Sequence, residues 1–93
     1  MSVKTVRVRI EGQVQGIWYR GWTIEQARER ALNGWVRNRH DGDVEAVFSG
    51  PPEMVDSMID ACWQGPSLAR VKAVHVSDEQ GDIDDGFEQK STV

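Results

Sequence analysis

Thr5 to Glu11 alternates, with Val6, Val8 and Ile10 on one face and Thr5, Arg7, Arg9 and Glu11 on the other. A period of two is the mark of a half-buried strand. Gly12 to Gly16 interrupts it, and apolar residues then recur at helical spacing. Ile24, Ala27 and Ala31 predict a helix from about residue 20 to residue 33, ended by Asn33-Gly34 through a left-handed glycine. Trp35 to Arg39 and Val44 to Ser49 flank His40-Asp41-Gly42-Asp43, and Asp-Gly between two strand-like runs is a strong hairpin signal. Val44, Ala46 and Phe48 should share a face.

Ser49-Gly50-Pro51-Pro52 turns the chain, and Pro52 suits a first helical turn, where a missing N–H costs nothing. The following run, residues 53–64, reads as a helix that buries Val55, Met58, Ile59 and Cys62, with Gly65-Pro66 closing it. Residues 70–77 read as a fourth strand carrying Val74 and Val76. The acidic run 78–85 reads as an exposed turn, and residues 87–93 as a short final strand. The order is β-α-β-β-α-β with a possible fifth strand. That is the α+β, ferredoxin-like arrangement, an antiparallel sheet with two helices on one face. Enzymes, RNA binders and metal carriers share this architecture, so it does not give function.

Composition narrows the field. Ninety-three residues, 39% hydrophobic and 28% charged, fit one globular domain over residues 1–93. No apolar run approaches the roughly 20 residues of a membrane helix. The N-terminus enters strand-like sequence directly, which argues against a signal peptide. A single cysteine, Cys62, allows no internal disulfide and no metal-ligand pair. A cytoplasmic location is the expectation, with no membrane partner and no metal or other cofactor. A net charge of −4 argues against a general nucleic-acid binder. Residues 1–39 carry eight Lys/Arg against three Asp/Glu, and residues 40–93 carry three against twelve. That asymmetry reads first as an uneven surface, although a basic third could draw a small anion.

The chemistry concentrates in Gly12-Gln13-Val14-Gln15-Gly16-Ile17-Trp18-Tyr19-Arg20, between a strand and the start of a helix. Unpaired amides and the helix dipole favour an anion there. Two glycines let successive N–H groups converge, and the planar fork of Arg20 matches two phosphate oxygens. Physics alone says phosphate or carboxylate site, or equally a glycine-containing turn beside a surface arginine.

This segment resembles the acylphosphatase signature Gly-x-Val-Gln-Gly-Val-x-Phe-Arg. Residues 34–44, Gly-Trp-Val-Arg-Asn-Arg-His-Asp-Gly-Asp-Val, are similar to that family's second signature. Both occur once, in the right order and spacing, and two long signatures in register are far more specific than one. The resemblance implies a small, free-standing acylphosphatase that hydrolyses acyl phosphates to carboxylate and phosphate. Arg20 would bind the phosphoryl group with the backbone of Gln15, Gly16, Ile17, Trp18, Tyr19 and Arg20, and Asn38 would position the attacking water. The alternative it leaves is a non-catalytic phosphate- or carbamoyl-phosphate-binding module. Ile17 stands where Val is usual and Tyr19 where Phe is usual; neither removes a donor, but the Tyr19 hydroxyl needs a partner.

Other residues read as structural. His40 belongs to a solvated turn and His75 to a strand; Cys62 packs in a core. Trp22 and Trp35 flank the first helix and pack, Trp63 is partly exposed, and Trp18 fits either the substrate entrance or the core. Arg7, Arg9, Arg37 and Arg39 form a solvated sheet face. An RNA-binding face would want stacking aromatics, and the first strand's open face has none. The expected partner is a small-molecule acyl phosphate, taken by a monomer.

Overall fold

The computed structural model describes residues 2–93. Its elements are β1 (Lys4–Gln13), α1 (Tyr19–Glu29), β2 (Asn33–Asn38), β3 (Val44–Gly50), α2 (Pro52–Gln64), β4 (Arg70–Asp78) and β5 (Phe87–Gln89). One sheet runs β4-β1-β3-β2-β5. β1 pairs antiparallel with β3 and β4, and β2 pairs antiparallel with β3, which is the ferredoxin-like core. β5 joins β2 in parallel, so the sheet is mixed. The reason is topological: after β4 on one edge, the chain crosses to the opposite edge and must run back beside β2.

The core lies between the sheet and the two helices. Val6, Val8 and Ile10 of β1, and Val44, Ala46 and Phe48 of β3, are buried against Ala27 of α1 and Val55, Met58 and Cys62 of α2. Each of the Val, Ile, Phe and Met side chains among them, fully buried, contributes about 1.5–3 kcal/mol. Phe48 stacks on Phe87, with ring centroids 5.5 Å apart, which draws β5 into the same core. Ile59 and Ile24 pack at its margin, only partly buried.

Three local expectations change. First, α1 ends at Glu29, before Asn33-Gly34, which belongs to β2. Ala31, not glycine, takes the left-handed conformation (φ 54°). The Leu32 amide donates to the Ala27 carbonyl (2.9 Å) and the Ala31 amide to that of Arg28 (3.1 Å), a Schellman closure. Ala31 is thereby carried out of the helix and stands exposed, while Leu32 turns into the core. Second, an irregularity between Glu11 and Gly12 shifts the pairing with β4, so that Glu11 faces Ala73 while Gly12 faces Val71. The extra residue brings Val71 to the core side along with Val74, whereas Val76, opposite Val8 on that same side, is exposed near the free edge. Third, β5 is only three residues long. The segment after it still follows β2, because the Lys90 amide donates to the Val36 carbonyl (2.9 Å) and the Val93 amide to that of Asn38 (3.2 Å).

The far face of the sheet is an ion-pair surface rather than a freely solvated one. Glu45, with its side chain 8% exposed, takes Arg7 at 2.8 Å, Arg37 at 2.7 Å and Arg39 at 3.6 Å. Arg7 also grips Glu79 (3.0 Å), and Arg9 pairs with Asp43 (3.0 Å). Trp35 lies on this face, not against α1, with Arg37, Lys90 and Arg7 at 4.6, 5.0 and 5.3 Å from its ring. These are cation–π distances. Trp22 does pack, edge-on to Tyr19.

Gly12 has φ 133°, and a Cβ on it would collide with the Arg70 carbonyl oxygen. Gly12 therefore serves the β1–β4 bulge rather than the loop beyond it. Gly12→Ala should lose at least about 1–3 kcal/mol, the cost of a side chain in that backbone region. Urea unfolding measures it, and an unchanged midpoint would show that the bulge relaxes freely.

Candidate active site

The turn from β1 into α1 is built by two left-handed residues, Gly16 (φ 76°) and Trp18 (φ 68°). Gly16 takes that conformation without strain, whereas for tryptophan it costs about 1–3 kcal/mol and persists only where the surroundings enforce it. The Trp18 indole lies directly over Gly21, where any Cβ would strike it. Trp18 caps α1 with no side-chain hydrogen bond. Among the described residues, the amides from Gln15 to Gly21 donate to no other group. They are the unpaired donors of a helix N-terminus, gathered by the turn.

Beside them lies a cavity of about 130 Å³ lined by Val14, Gln15, Gly16, Trp18, Tyr19, Arg20, Gly21, Asn38 and Gln89. At about 30 Å³ per water, it holds roughly four water volumes, enough for a phosphoryl-sized group and one water. It brings together Arg20 and Asn38, eighteen positions apart in sequence, with Gln15, Gly16, Trp18 and Tyr19. Ile17 does not line it and packs against the core. Trp18 is 62% exposed, which resolves its two alternatives in favour of the rim.

The lining holds one cation and no carboxylate. Arg20 makes no ion pair or hydrogen bond with another described residue, and the buried Oδ1 of Asn38 has no partner among them either. A buried polar atom left unpaired costs about 1–3 kcal/mol. Two other polar side chains of the lining, Gln15 and Tyr19, have their donors committed elsewhere. The Tyr19 hydroxyl donates to the Cys62 carbonyl (2.7 Å), the partner its departure from Phe required. Burial, with Cys62 beside it, pushes the ionisation of Tyr19 upward. Burial likewise pushes the Cys62 thiol up to about 12. His40 is exposed. His75 pairs with Glu11 at 2.9 Å at the edge of the sheet. Two larger hollows, of 730 and 440 Å³, lie elsewhere. The first sets four carboxylates, Asp82, Asp84, Asp85 and Glu88, against two cations, Arg28 and Lys90, a balance that disfavours an anion.

Three contributions were missed by sequence reasoning. The Gln15 side-chain amide donates both protons across the hairpin, to the Arg39 carbonyl (2.7 Å) and the Asp43 carbonyl (2.8 Å). Glu45 gathers the arginines that flank the same hairpin. Its signal was available, because a turn centred on Asp41-Gly42 places Glu45 opposite Arg37. Gln89 enters the lining from β5, and only the parallel pairing with β2 reveals it.

A family model described as Acylphosphatase matches residues 6–89. The chain is 51% identical over 87 residues to an acylphosphatase of Rhizorhabdus wittichii, covering 94% of this chain and 88% of that one. It is 50% identical over 91 residues to an acylphosphatase of Rhodospirillum rubrum, covering 98% and 100%. The solved structure of an acylphosphatase from Coxiella burnetii superimposes with a TM-score of 0.91 at 30% identity, covering 95% of this chain and 93% of that one.

The hairpin network makes stability depend on acid. Burial pushes the Glu45 carboxyl up, but the hydrogen bonds from Arg37 and Arg7 outweigh it and hold the carboxyl below its ordinary 4.5. A lowered carboxylate stabilises the fold fully above that ordinary value, and the contribution is lost as pH falls through the lower folded value. Glu45→Gln should lose about 1.5–3 kcal/mol at pH 7 and show a shallower decline of stability below pH 4.5. Part of the slope should remain, since Glu11, Asp41 and Glu79 are also lowered by their partners. Denaturation at several pH values checks it, and parallel curves for the two proteins would remove Glu45 from the account.

Proposed function

The chain belongs to the acylphosphatase family, and we propose that Arg20, the Gln15–Arg20 amides and Asn38 divide the work of hydrolysis at the small cavity beside them. An acylphosphatase cleaves an acyl phosphate into a carboxylate and inorganic phosphate. The observation that carries this assignment is the pairing of an uncommitted guanidinium with an orphaned Asn38 Oδ1 in one cavity without carboxylates. Arg20 holds two phosphoryl oxygens through its fork, and the amides at the start of α1 hold the third. Asn38 accepts a hydrogen bond from water and so aims its lone pair at phosphorus.

A carboxylate leaves without being protonated, so little acid–base chemistry is needed. Phosphoryl transfer passes through a loose transition state, and catalysis is mostly positioning and charge stabilisation. The pull of Arg20 and the amides is greatest as charge gathers on the equatorial oxygens. No Ser, Thr, Cys, His, Asp, Glu or Lys is among the residues lining the cavity. Tyr19 is there, but its hydroxyl is spent on Cys62. This supports direct attack by water with no phosphoenzyme, and the reading requires no metal.

Benzoyl phosphate hydrolysis tests the assignment. Wild type should turn over in EDTA, and Asn38→Ala should fall on the order of 10²–10³-fold, as for other transition-state donors. Arg20→Lys should lose most turnover despite keeping its charge. Full rate in either variant would displace that residue from its role. Acid quench of a reaction with radiolabelled phosphoryl substrate should leave no label on the protein; trapped label would overturn direct attack. No turnover by the folded wild type would leave a phosphate-binding scaffold.

A further inference from the structure

We infer that Gln89 is a second holder of the attacking water, an inference that rests on the water-positioning reading of Asn38. β5 pairs with β2 in parallel, with Gln89 in register with Val36. Neighbouring strands lie about 4.8 Å apart, and residues in register share a face. Val36 faces the core, and Asn38, two positions on, projects from the same side. Gln89 therefore flanks Asn38 at the end of the sheet, and both line the cavity. Its backbone is fixed there by strand pairing and by the Lys90–Val36 hydrogen bond.

Elimination points the same way. A seated water needs two to four polar partners, and one acceptor on Asn38 does not orient it. Among the other polar side chains of the lining, Gln15 spends both amide protons on Arg39 and Asp43 and keeps only an acceptor, and the Tyr19 hydroxyl is spent on Cys62. The Trp18 indole lies against Gly21, and Arg20 is assigned to the phosphoryl group. Gln89 makes no side-chain hydrogen bond with another described residue, so its oxygen and its NH2 group are both free to meet water. Asn38 presents a buried atom and Gln89 an exposed side chain. The water sits between them, held on its inner side by Asn38 and on its outer side by Gln89.

The test uses the full chain and benzoyl phosphate, comparing wild type, Gln89→Leu, Gln89→Asn, Asn38→Ala and the Gln89→Leu/Asn38→Ala double variant. Inorganic phosphate, as a competitive inhibitor, probes the cradle independently. Gln89→Leu should lower kcat about tenfold, the worth of one neutral hydrogen bond, with KM and phosphate inhibition unchanged. Gln89→Asn should fall between it and wild type. In the Asn38→Ala background, Gln89→Leu should remove little more, because both side chains act on one water. Its thermal midpoint should stay at the wild-type value, since the side chain is exposed.

An unchanged kcat overturns the inference. A raised KM at constant kcat overturns it by assigning Gln89 to the acyl group, and losses that multiply in the double variant overturn it by separating the two side chains. A collapse in Asn38→Ala with no effect in Gln89→Leu removes Gln89 alone. Full turnover in Asn38→Ala removes the water-positioning reading, and Gln89's part in it with it.

Discussion

Everything at the candidate site depends on one side-chain amide. The two protons of Gln15 Nε2 reach two carbonyls at the base of the β2–β3 hairpin. The turn that collects the α1 amides is thereby fixed to the strand end that carries Asn38. Without it the turn and the strand end would be joined only indirectly, through β3, which pairs with both β1 and β2. Each hydrogen bond contributes only about 0.5–1.5 kcal/mol net. The value of the pair is geometric, because a misplacement of about 1 Å can cost 10²-fold in rate.

The two faces of the sheet serve that geometry differently. The helix side supplies burial: Tyr19, almost wholly enclosed, roots the first turn of α1 in α2 through the Cys62 carbonyl. The opposite side supplies charge. Glu45 draws arginines from β1, β2 and the hairpin around one carboxylate, which ties down the hairpin from behind. Arginines 7, 9, 37 and 39 are thus mostly neutralised locally, while Arg20 faces the cavity alone. The basic first third of the chain is less a field that gathers anions than a scaffold that, among the described residues, leaves Arg20 free at the cavity.

Most of the fold was legible because it is written in short periods. The alternation around Val6, the Asp41-Gly42 turn and the Pro52 helix start are each decided by a few neighbouring residues, and the four-stranded arrangement follows from their order. What was hidden is what lies far apart in sequence. The end of α1 was misplaced because Ala31, a residue without glycine's freedom, takes the left-handed cap once Leu32 is pulled into the core. Val71 joined the core side unforeseen because a bulge leaves no mark in the local pattern. Trp35 was put against the wrong layer because its parity was not followed across the hairpin. At the site, Arg20, Asn38 and the loop were visible from two signatures. Gln89 was invisible, since a three-residue parallel strand has no sequence signal that says which neighbour it will choose.

The cavity lining offers no proton donor of the kind that rescues a reluctant leaving group. An alkyl phosphate ester could occupy the same cradle, and water could be aimed at it just as well, but the departing alkoxide would have to leave unprotonated. A mixed anhydride sheds a carboxylate and meets no such obstacle. Under the proposed mechanism the site sorts its substrates by how readily they fall apart rather than by how well they fit. Abundant phosphate esters are then spared by their own chemistry, with no need for a pocket large enough to recognise what lies beyond the phosphorus.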